Sequence, residues 1–334
     1  MAFPLLTCLL LFAAPAAAQS SPVGLGPRLL VVNQGDKTLS IVDPVTNKQV
    51  GVVDEAQTTM HGHEIAVGPD GRSVFMPIYG DVGVGSPGLD GNEMIVIDWP
   101  TGKITGHIDF GHGVRPHCAV FSKATGMMYV TTEIDNSVTM VDPKSLKIVG
   151  SVPTGQAQSH MLAITRNGRW AYTANVGPGT VSVLDMKERK TVNVIPISKM
   201  TQRIALSPDD KYVFTSDQTS QRLAVIETKT NTIKKWITLP GNGYGGAATP
   251  NGKWLLLPIP SKGLVSVIDL KTLDIVKNVT VEKNPQELLV RPDGKFAYVS
   301  SPSTKKVCVI DLSQWVMSAT IDVGNGADGL AWAN

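Results

Sequence analysis

Apolar positions recur along this chain in short runs, and seven of these runs end in an acidic residue. The acidic residues are Asp43, Asp98, Asp142, Asp185, Glu227, Asp269 and Asp311. Neighbouring members of this series are 55, 44, 43, 42, 42 and 42 residues apart. The runs are short and rich in β-branched residues, which indicates strands. A repeat of about 40–45 residues built from such strands is typical of propeller blades.

One repeat, residues 159–195, shows the unit in detail. Four short apolar runs cover residues 161–164, 170–174, 180–184 and 191–195. The first two are joined by a turn containing Asn167-Gly168, which is a hairpin signal. The pattern therefore predicts four antiparallel strands, A to D, in each blade.

The two ends of the chain complete the pattern. Seven acidic positions are matched by only six A–B turns, because the chain begins at a strand B, residues 29–33, and ends with residues 328–332, which align with strand A. The last strand is expected to complete the first blade, which leaves no free sheet edge. We predict an all-β fold: a single seven-bladed propeller over residues 28–334, after a lead-in at 19–27.

The B strands and the A–B turns carry a resemblance to a known family. The strands at 30–33, 129–132, 172–175 and 298–301, with the Pro-Asp-Gly turns at 69–71 and 292–294, resemble the YVTN β-propeller repeat. The resemblance covers residues 28–334. It implies the fold of exported bacterial and surface-layer propellers, and related seven-bladed propellers imply lactone hydrolysis, lyase or metal-dependent redox chemistry.

The period breaks in one sector. From the end of strand B to the acidic residue the distance is 10 residues in six blades and 20 in the blade of Asp98. The extra residues lie within 79–92, a Gly-rich loop in which Tyr79 and Asp81 are candidate ligand contacts. The two D–A connections that contain His61 and His112 are also longer than the others. B–C and D–A loops emerge on the same face of a propeller, so the irregular segments share one face.

Three histidines occupy one aligned position at the start of strand A. Around the ring this position reads His63, His117, His160, Gln202, Tyr244, Gln286 and Asp328. Strand A lines the central channel, so three imidazoles are expected to converge at its mouth, a donor set that suits copper or zinc. His61, His112 and Cys118 are possible additional ligands.

The other channel positions suggest ligand contacts and a base. Gln202, Tyr244, Gln286 and Asp328 would complete a ligand pocket. At the next position, Glu64 and Glu287 are candidate catalytic bases or orienting groups, and Arg203 could hold an anionic ligand. Duplicated blades can also inherit a shared histidine that only hydrogen-bonds a neighbouring backbone. His107 lies on an outer strand, where a surface role is expected.

Sequence composition limits the cellular compartments and the classes of binding partner that we expect for this protein. Residues 5–18 are largely apolar and end in small residues, which predicts a secretory signal cut after Ala18 and a periplasmic or secreted protein. The net charge of +2 gives no case for nucleic acid, and no later run is long enough to span a membrane.

Phosphate-loop and haem-attachment motifs are missing. Cys118 and Cys308 fall on different blades, so no disulfide is expected, and a monomer is plausible.

Three functions remain open at this stage. The first is an exported protein that binds a metal ion, a small ligand or a partner protein at the channel mouth. The second is a metal-dependent enzyme that uses the same site for hydrolysis, lyase or redox chemistry. The third is a structural or cell-surface interaction protein.

Overall fold

The computed structural model describes residue 24, residues 26–56 and residues 59–334. The predicted signal peptide lies outside the described residues. Seven antiparallel sheets surround a central channel, which confirms the predicted all-β, seven-bladed propeller. In the described part of the chain, no helix is long and apolar enough to cross a membrane.

The first four blades contain these strands, in the order A to D. Blade 1 consists of Ala327–Ala333, Arg28–Asn33, Thr38–Asp43 and Lys48–Asp54. Blade 2 has a strand A in two pieces, His61–Gly62 and Ala66–Val67, followed by Ser73–Gly80, Asp90–Asp98 and Lys103–Asp109. Blade 3 consists of Pro116–Ser122, Met127–Thr132, Ser137–Asp142 and Lys147–Pro153. Blade 4 consists of Ser159–Ile164, Trp170–Asn175, Thr180–Asp185 and Lys190–Pro196.

The other three blades have the same order. Blade 5 consists of Thr201–Leu206, Tyr212–Asp217, Arg222–Glu227 and Thr232–Thr238. Blade 6 consists of Ala247–Ala248, Trp254–Ile259, Leu264–Asp269 and Asp274–Thr280, with a 3₁₀ turn at Pro260–Lys262. Blade 7 consists of Leu288–Val290, Phe296–Ser301, Lys306–Asp311 and Val316–Asp322, with a 3₁₀ turn at Pro302–Thr304.

The ring closes as the sequence predicts. The C-terminal strand Ala327–Ala333 pairs antiparallel with Arg28–Asn33, so blade 1 combines both ends of the chain. The closure is reinforced by Asn33, whose buried side-chain oxygen accepts the N–H of Gly324 at 3.0 Å. Sheet pairing and side-chain contacts therefore hold the two ends together.

The repeated acidic residues are structural, as expected. Asp142 accepts the backbone N–H of Lys144 at 2.9 Å, and Asp269 accepts that of Lys271 at 2.7 Å. Such contacts fix the C–D turn and hold the pKa of Asp142 below its usual value. These residues form the turn scaffold and lie outside the channel-mouth site.

Apolar side chains pack between neighbouring blades. The tyrosines of strand B in blades 3, 4 and 7, Tyr129, Tyr172 and Tyr298, are almost fully buried within these clusters. Cys118 and Cys308 are buried free thiols. The core therefore lies between the sheets and leaves the channel lining to polar residues.

The predicted insertion in blade 2 divides between strand and loop. Strands B and C of this blade have 8 and 9 residues, whereas those of blade 4 have 6 each. The remaining segment, residues 81–89, forms the loop. The extra length thus raises this hairpin above its neighbours on the face that carries the channel mouth.

Candidate metal and ligand site at the channel mouth

A bulge at the start of strand A directs side chains into the channel mouth. The pairing of strands A and B shifts register between Ser159 and Met161 in blade 4, and between Thr201 and Ile204 in blade 5. The corresponding shifts in blades 3 and 1 span residues 117–118 and 328–329. An extra residue in one strand bends it and re-aims its side chains. Strand-A bulges therefore present residues from these four blades to the mouth.

The three predicted histidines meet there. The ring centroids of His63 and His117 are 5.2 Å apart, and those of His117 and His160 are 3.6 Å apart with planes tilted by 30°. His63 lies between the two short pieces of strand A in blade 2, and His117 and His160 lie on strand A in blades 3 and 4. The alignment of the repeats thus identified side chains that are neighbours in space.

His63 is oriented by a carboxylate and a glutamine. Its Nδ1 lies 3.1 Å from Oδ2 of Asp328, across the closure between the chain ends. A carboxylate can only accept, so Nδ1 carries the proton and Nε2 is the acceptor. The amide nitrogen of Gln34 lies 2.7 Å from Nδ1 and 2.8 Å from Nε2, and with the proton on Nδ1 only the lone pair of Nε2 can accept from it. Burial would raise the pKa of Asp328, but the His63 hydrogen bond and the charge of Arg203 hold it below its usual value.

His160 has the same pair of partners. Its Nδ1 makes a short hydrogen bond to Oε1 of Glu133, and its Nε2 lies 3.2 Å from the amide nitrogen of Gln202. By the same reasoning, Nδ1 carries the proton and Nε2 has the lone pair. Burial keeps the pKa of His160 below its usual value although Glu133 acts in the opposite direction. His160 is therefore a neutral imidazole whose metal-binding nitrogen faces an amide donor.

His117 lies between these two rings and differs from both. It is 1% exposed, and neither of its ring nitrogens has a hydrogen-bond partner among the residues that the structure describes. Burial, followed by the neighbouring histidines, lowers its pKa well below the usual value, so the ring is neutral. Leaving a buried polar group without a partner costs about 1–3 kcal/mol. An imidazole held in this way is available to a ligand.

Tyr79 packs against the histidine group. Its ring meets those of His63 and His117 edge-on, with centroids 5.0 and 5.2 Å apart. Its hydroxyl donates to Oε2 of Glu133 at 2.8 Å. Tyr79 is 1% exposed, so its buried ring lines one side of the site. The predicted ligand-contact position is thus beside the histidines, although its hydroxyl is already engaged.

A second layer of charged residues lies below the histidines. Arg203 reaches across the channel and donates to Glu64 and, at 2.9 Å, to Glu287. It also donates to the hydroxyl of Tyr244 at 3.1 Å, with its guanidinium 4.4 Å from that ring's centroid. Asp328 lies 3.8 Å away. The pairing of Arg203 with protein carboxylates gives no support to the predicted anion-binding role.

The carboxyl groups of this layer outnumber the single guanidinium. Burial raises the pKa of Glu287 to about 8, and the charge of Glu64 adds to the effect. Burial also raises the pKa of Glu64, against the opposing charge of Arg203. Glu287 therefore holds a proton at neutral pH, which suits a proton donor better than the base predicted from the sequence.

The remaining predicted residues are distributed more widely. The ring of His61 lies 4.9 Å from that of His63, so it belongs to the group. His112 is on the surface and pairs with Asp135 at 2.8 Å. Burial raises the pKa of Cys118 to about 12, and this thiol donates weakly to the carbonyl of Leu162 at 3.8 Å. Neither of these last two residues is in ring or hydrogen-bond contact with the three histidines.

Two other predicted ligand contacts and the surface histidine complete the set. The side chain of Asp81 accepts a hydrogen bond from the N–H of Leu89 at 2.7 Å and so stabilises its own loop. Gln286 is half-buried, and its backbone N–H donates to the carbonyl of Ser300 at 2.9 Å. His107 lies on strand D of blade 2 and pairs with Glu93, as expected for a surface residue.

The fit of these residues to a metal ion can be judged from the ring positions. Two imidazoles that share an ion at about 2 Å have centroids roughly 5 Å apart. The His63–His117 separation meets this value, whereas the stacked His117–His160 pair is too close. As they stand, no three His, Cys, Asp or Glu side chains among the described residues could hold a metal ion together. A three-histidine site requires His117 to turn away from His160 and the two glutamine amides to withdraw.

A pocket of about 480 Å³ lies beside the site on the same face. Its walls include loop residues 85–88, Arg115 and Glu133. Arg115 fixes the position of this loop, because it pairs with Asp90 and donates to the carbonyl of Ser86 at 2.8 Å. Glu133 is therefore shared between the pocket and the buried histidine group.

Sequence reasoning missed two partners of the histidines, Glu133 and Gln34. Both occupy the first position after strand B, in blades 3 and 1, and Tyr79 occupies the equivalent position in blade 2 by the same alignment. Each contacts the histidine of the following blade. The repeat alignment locates the first position after strand B in each blade. It predicts these contacts only if one also knows that the side chain at this position points towards the next blade.

A family model described as "Lactonase, 7-bladed beta-propeller" matches residues 28–235. A hydrazine synthase structure from Kuenenia stuttgartiensis is 20% identical, with a TM-score of 0.66, over 82% of this chain and 90% of that chain. A structure of the dihydro-heme d1 dehydrogenase NirN in complex with DHE is 14% identical, with a TM-score of 0.66, over 91% and 74%.

A functionally unknown protein from Desulfotomaculum acetoxidans is 12% identical, with a TM-score of 0.75, over 92% of this chain and 99% of that chain. At these identities the three structures show a shared fold alone. No curated protein matches the chain in sequence.

Proposed function

Because the chain belongs to the lactonase family of seven-bladed β-propellers, we propose that it is an exported propeller that binds a copper or zinc ion at the mouth of its channel. The donors are Nε2 of His63, Nε2 of His160 and one ring nitrogen of His117. Export rests on the leader at residues 1–18, and a mature N-terminus at Gln19 would test it.

One observation carries this proposal: buried His117, with both ring nitrogens unpartnered, lies between two imidazoles that each have a carboxylate at Nδ1. Carboxylate–histidine pairs of this kind fix the tautomer and the ring orientation of metal ligands. The glutamine amides at the two Nε2 atoms are donors that a cation can replace. Neutral imidazoles are also the form that binds metal.

The charges around the mouth favour a cation over an anion. The pKa of Asp328 is lowered, so this carboxylate is ionised, and the guanidinium of Arg203 lies close to it, to Glu64 and to Glu287. A bound cation would be balanced when Glu287 gives up its proton, because the cation offsets the buried negative charge that now raises the pKa of this carboxyl group, whereas an anion would have to displace a carboxyl group from Arg203. The electrostatics therefore agree with the donor chemistry.

Metal analysis and one variant test the proposal. Metal-stripped protein titrated with Zn²⁺ or Cu²⁺ should bind one ion per chain, measured by calorimetry and elemental analysis. His117→Gln should weaken binding by at least about 100-fold, more than the loss of an outer-shell partner usually does. The control is His107→Gln, which removes an exposed imidazole that pairs with Glu93.

The outcomes separate the open functions. Loss of metal binding in His117→Gln but not in His107→Gln supports the proposal. Equal affinity in both variants would place the ion elsewhere. A folded protein that never binds metal would leave an organic ligand, a partner protein or a structural role.

A second candidate function, metal-dependent hydrolysis of a lactone, is favoured by the carboxyl group of Glu287 below the histidines, because its pKa of about 8 keeps it protonated at neutral pH, and by Glu64 beside it, whose pKa is also raised. The family name gives the substrate class to be tested. A buried carboxylic acid could protonate a leaving alkoxide, since its raised pKa keeps the proton available at neutral pH. Lactone hydrolysis that depends on added metal and falls in Glu287→Gln would support this function; no turnover above buffer would refute it.

A further inference from the structure

Glu133 is a buried carboxylate at the centre of the histidine group. It follows strand B of blade 3 and is 3% exposed. One carboxylate oxygen accepts from Nδ1 of His160 and the other accepts from the hydroxyl of Tyr79 at 2.8 Å. Its two hydrogen bonds therefore link side chains from blades 4 and 2.

We propose that Glu133 is the positioning residue of the channel-mouth site, which sets the tautomer of His160 and holds Tyr79 against His63 and His117. This inference rests on the proposed metal-binding function for its effect on affinity. Its effect on the His160 tautomer stands without metal.

The donors and acceptors that each group offers determine the tautomer of His160. In these two contacts the carboxylate oxygens of Glu133 act as acceptors, so the hydrogen in the Glu133–His160 contact belongs to Nδ1 of His160. Nε2 then has a lone pair directed at the amide of Gln202, 3.2 Å away. Without the carboxylate, His160 is free to place its proton on Nε2, where it would block metal binding.

The second hydrogen bond acts through Tyr79. The ring of Tyr79 meets those of His63 and His117 edge-on, and its hydroxyl donates to Glu133 at 2.8 Å. The guanidinium of Arg115 lies 5.8 Å from the centroid of this ring on the pocket side. Loss of the Glu133 contact would leave the Tyr79 hydroxyl without this hydrogen bond, so the tyrosine ring would be held less firmly against His117.

An amide cannot replace both roles of this carboxylate. In Glu133→Gln the side chain keeps its shape, but an NH2 donor replaces one of the two oxygens that now accept separately from Tyr79 and His160. Either Tyr79 loses its acceptor, or the new amide donates to Nδ1 of His160 and reverses the tautomer. Both results disturb the site without removing a proposed metal ligand.

The chain offers a matched control two residues away. Asp135 accepts from Nε2 of His112 at 2.8 Å, but this histidine side chain is 59% exposed and far from the ring contacts of the site. Asp135→Asn therefore makes the same carboxylate-to-amide change in a carboxylate–imidazole pair on the surface. It should leave metal binding unchanged.

Two measurements on the full mature chain test the proposal. Nitrogen-15 NMR of the imidazoles in metal-free protein reports which ring nitrogen of His160 carries the proton, and calorimetry with Zn²⁺ reports affinity. We expect Nδ1–H in the wild type, a shift towards Nε2–H in E133Q, and a 10–100-fold loss of Zn²⁺ affinity, roughly the range for orienting partners of metal ligands. D135N should match the wild type in both.

The alternative results are distinct. An Nε2–H tautomer of His160 in the wild type overturns the role of Glu133 whatever the metal does. If the wild type binds Zn²⁺ and E133Q binds it equally, Glu133 is not a positioning residue although the proposed function stands. If the wild type binds no metal, the proposed function fails and the tautomer of His160 in the two variants alone decides the role of Glu133.

Discussion

Replacing Glu287 by glutamine should stabilise the protein at neutral and alkaline pH. Burial, with the charge of Glu64 added, raises the pKa of Glu287 from 4.5 to about 8 in the folded protein. The folded state therefore binds this proton more tightly than the unfolded chain does. By linkage, the free energy of unfolding falls as the pH rises from about 4.5 to about 8 and then levels off.

The size of the effect follows from the same pKa. Each pH unit in this window removes about 1.4 kcal/mol, so the full window represents a penalty on the order of 5 kcal/mol. Glutamine carries no charge at any pH, and its side-chain oxygen can still accept from Arg203, which lies 2.9 Å from the carboxylate. The variant should match the wild type near pH 4.5 and become progressively more stable above it.

Urea unfolding of metal-free protein between pH 4.5 and 9 measures this difference. Glu188→Gln, a substitution at an exposed glutamate, is the control, and because it keeps Glu287 its pH profile should run parallel to that of the wild type. Parallel pH profiles for the wild type and Glu287→Gln would refute the reasoning, because they would mean that Glu287 ionises in the folded protein as it does in the unfolded chain.

Three further substitutions test the scaffold around the site. Asn33→Ala should lower the free energy of unfolding by about 1–3 kcal/mol, because it removes the acceptor of the half-buried Gly324 N–H at the ring closure and the buried amide donor to Ser40; urea unfolding with an unchanged midpoint would contradict this. Trp99→Phe should cost a similar amount, about 1–3 kcal/mol, because it removes a 2.9 Å indole hydrogen bond to a backbone carbonyl, and thermal unfolding would show it. Gly91→Ala would place a Cβ 1.8 Å from the carbonyl oxygen of Ile78, so the 81–89 loop should become more susceptible to limited proteolysis, and unchanged digestion would count against that packing.

The repeat made much of the fold predictable from the sequence. A period near 42 residues implies identical units, and identical units close into a ring, so the pairing of the last strand with the first blade could be inferred. The same alignment placed His63, His117 and His160 at one channel position, and the structure brings them together. The match to the YVTN repeat itself remains a resemblance.

The partners of these histidines could not be read from the repeat alone. Glu133 and Gln34 contact side chains of the following blade, so their roles depend on the angle between neighbouring sheets. Arg203 also reaches across the channel to Glu64 and Glu287, a contact that depends on the channel's width. Sequence spacing locates residues along each blade, whereas these contacts depend on how the blades are set around the axis.

Anomalous diffraction from crystals of the mature protein grown with Zn²⁺ is the most direct test of the central claim. The account predicts one anomalous peak per chain at the channel mouth, within about 2.0–2.1 Å of nitrogen atoms of His63, His117 and His160, with Gln34 and Gln202 turned away. A mouth with no peak, or a peak only at the surface pairs of His107 or His112, would contradict it.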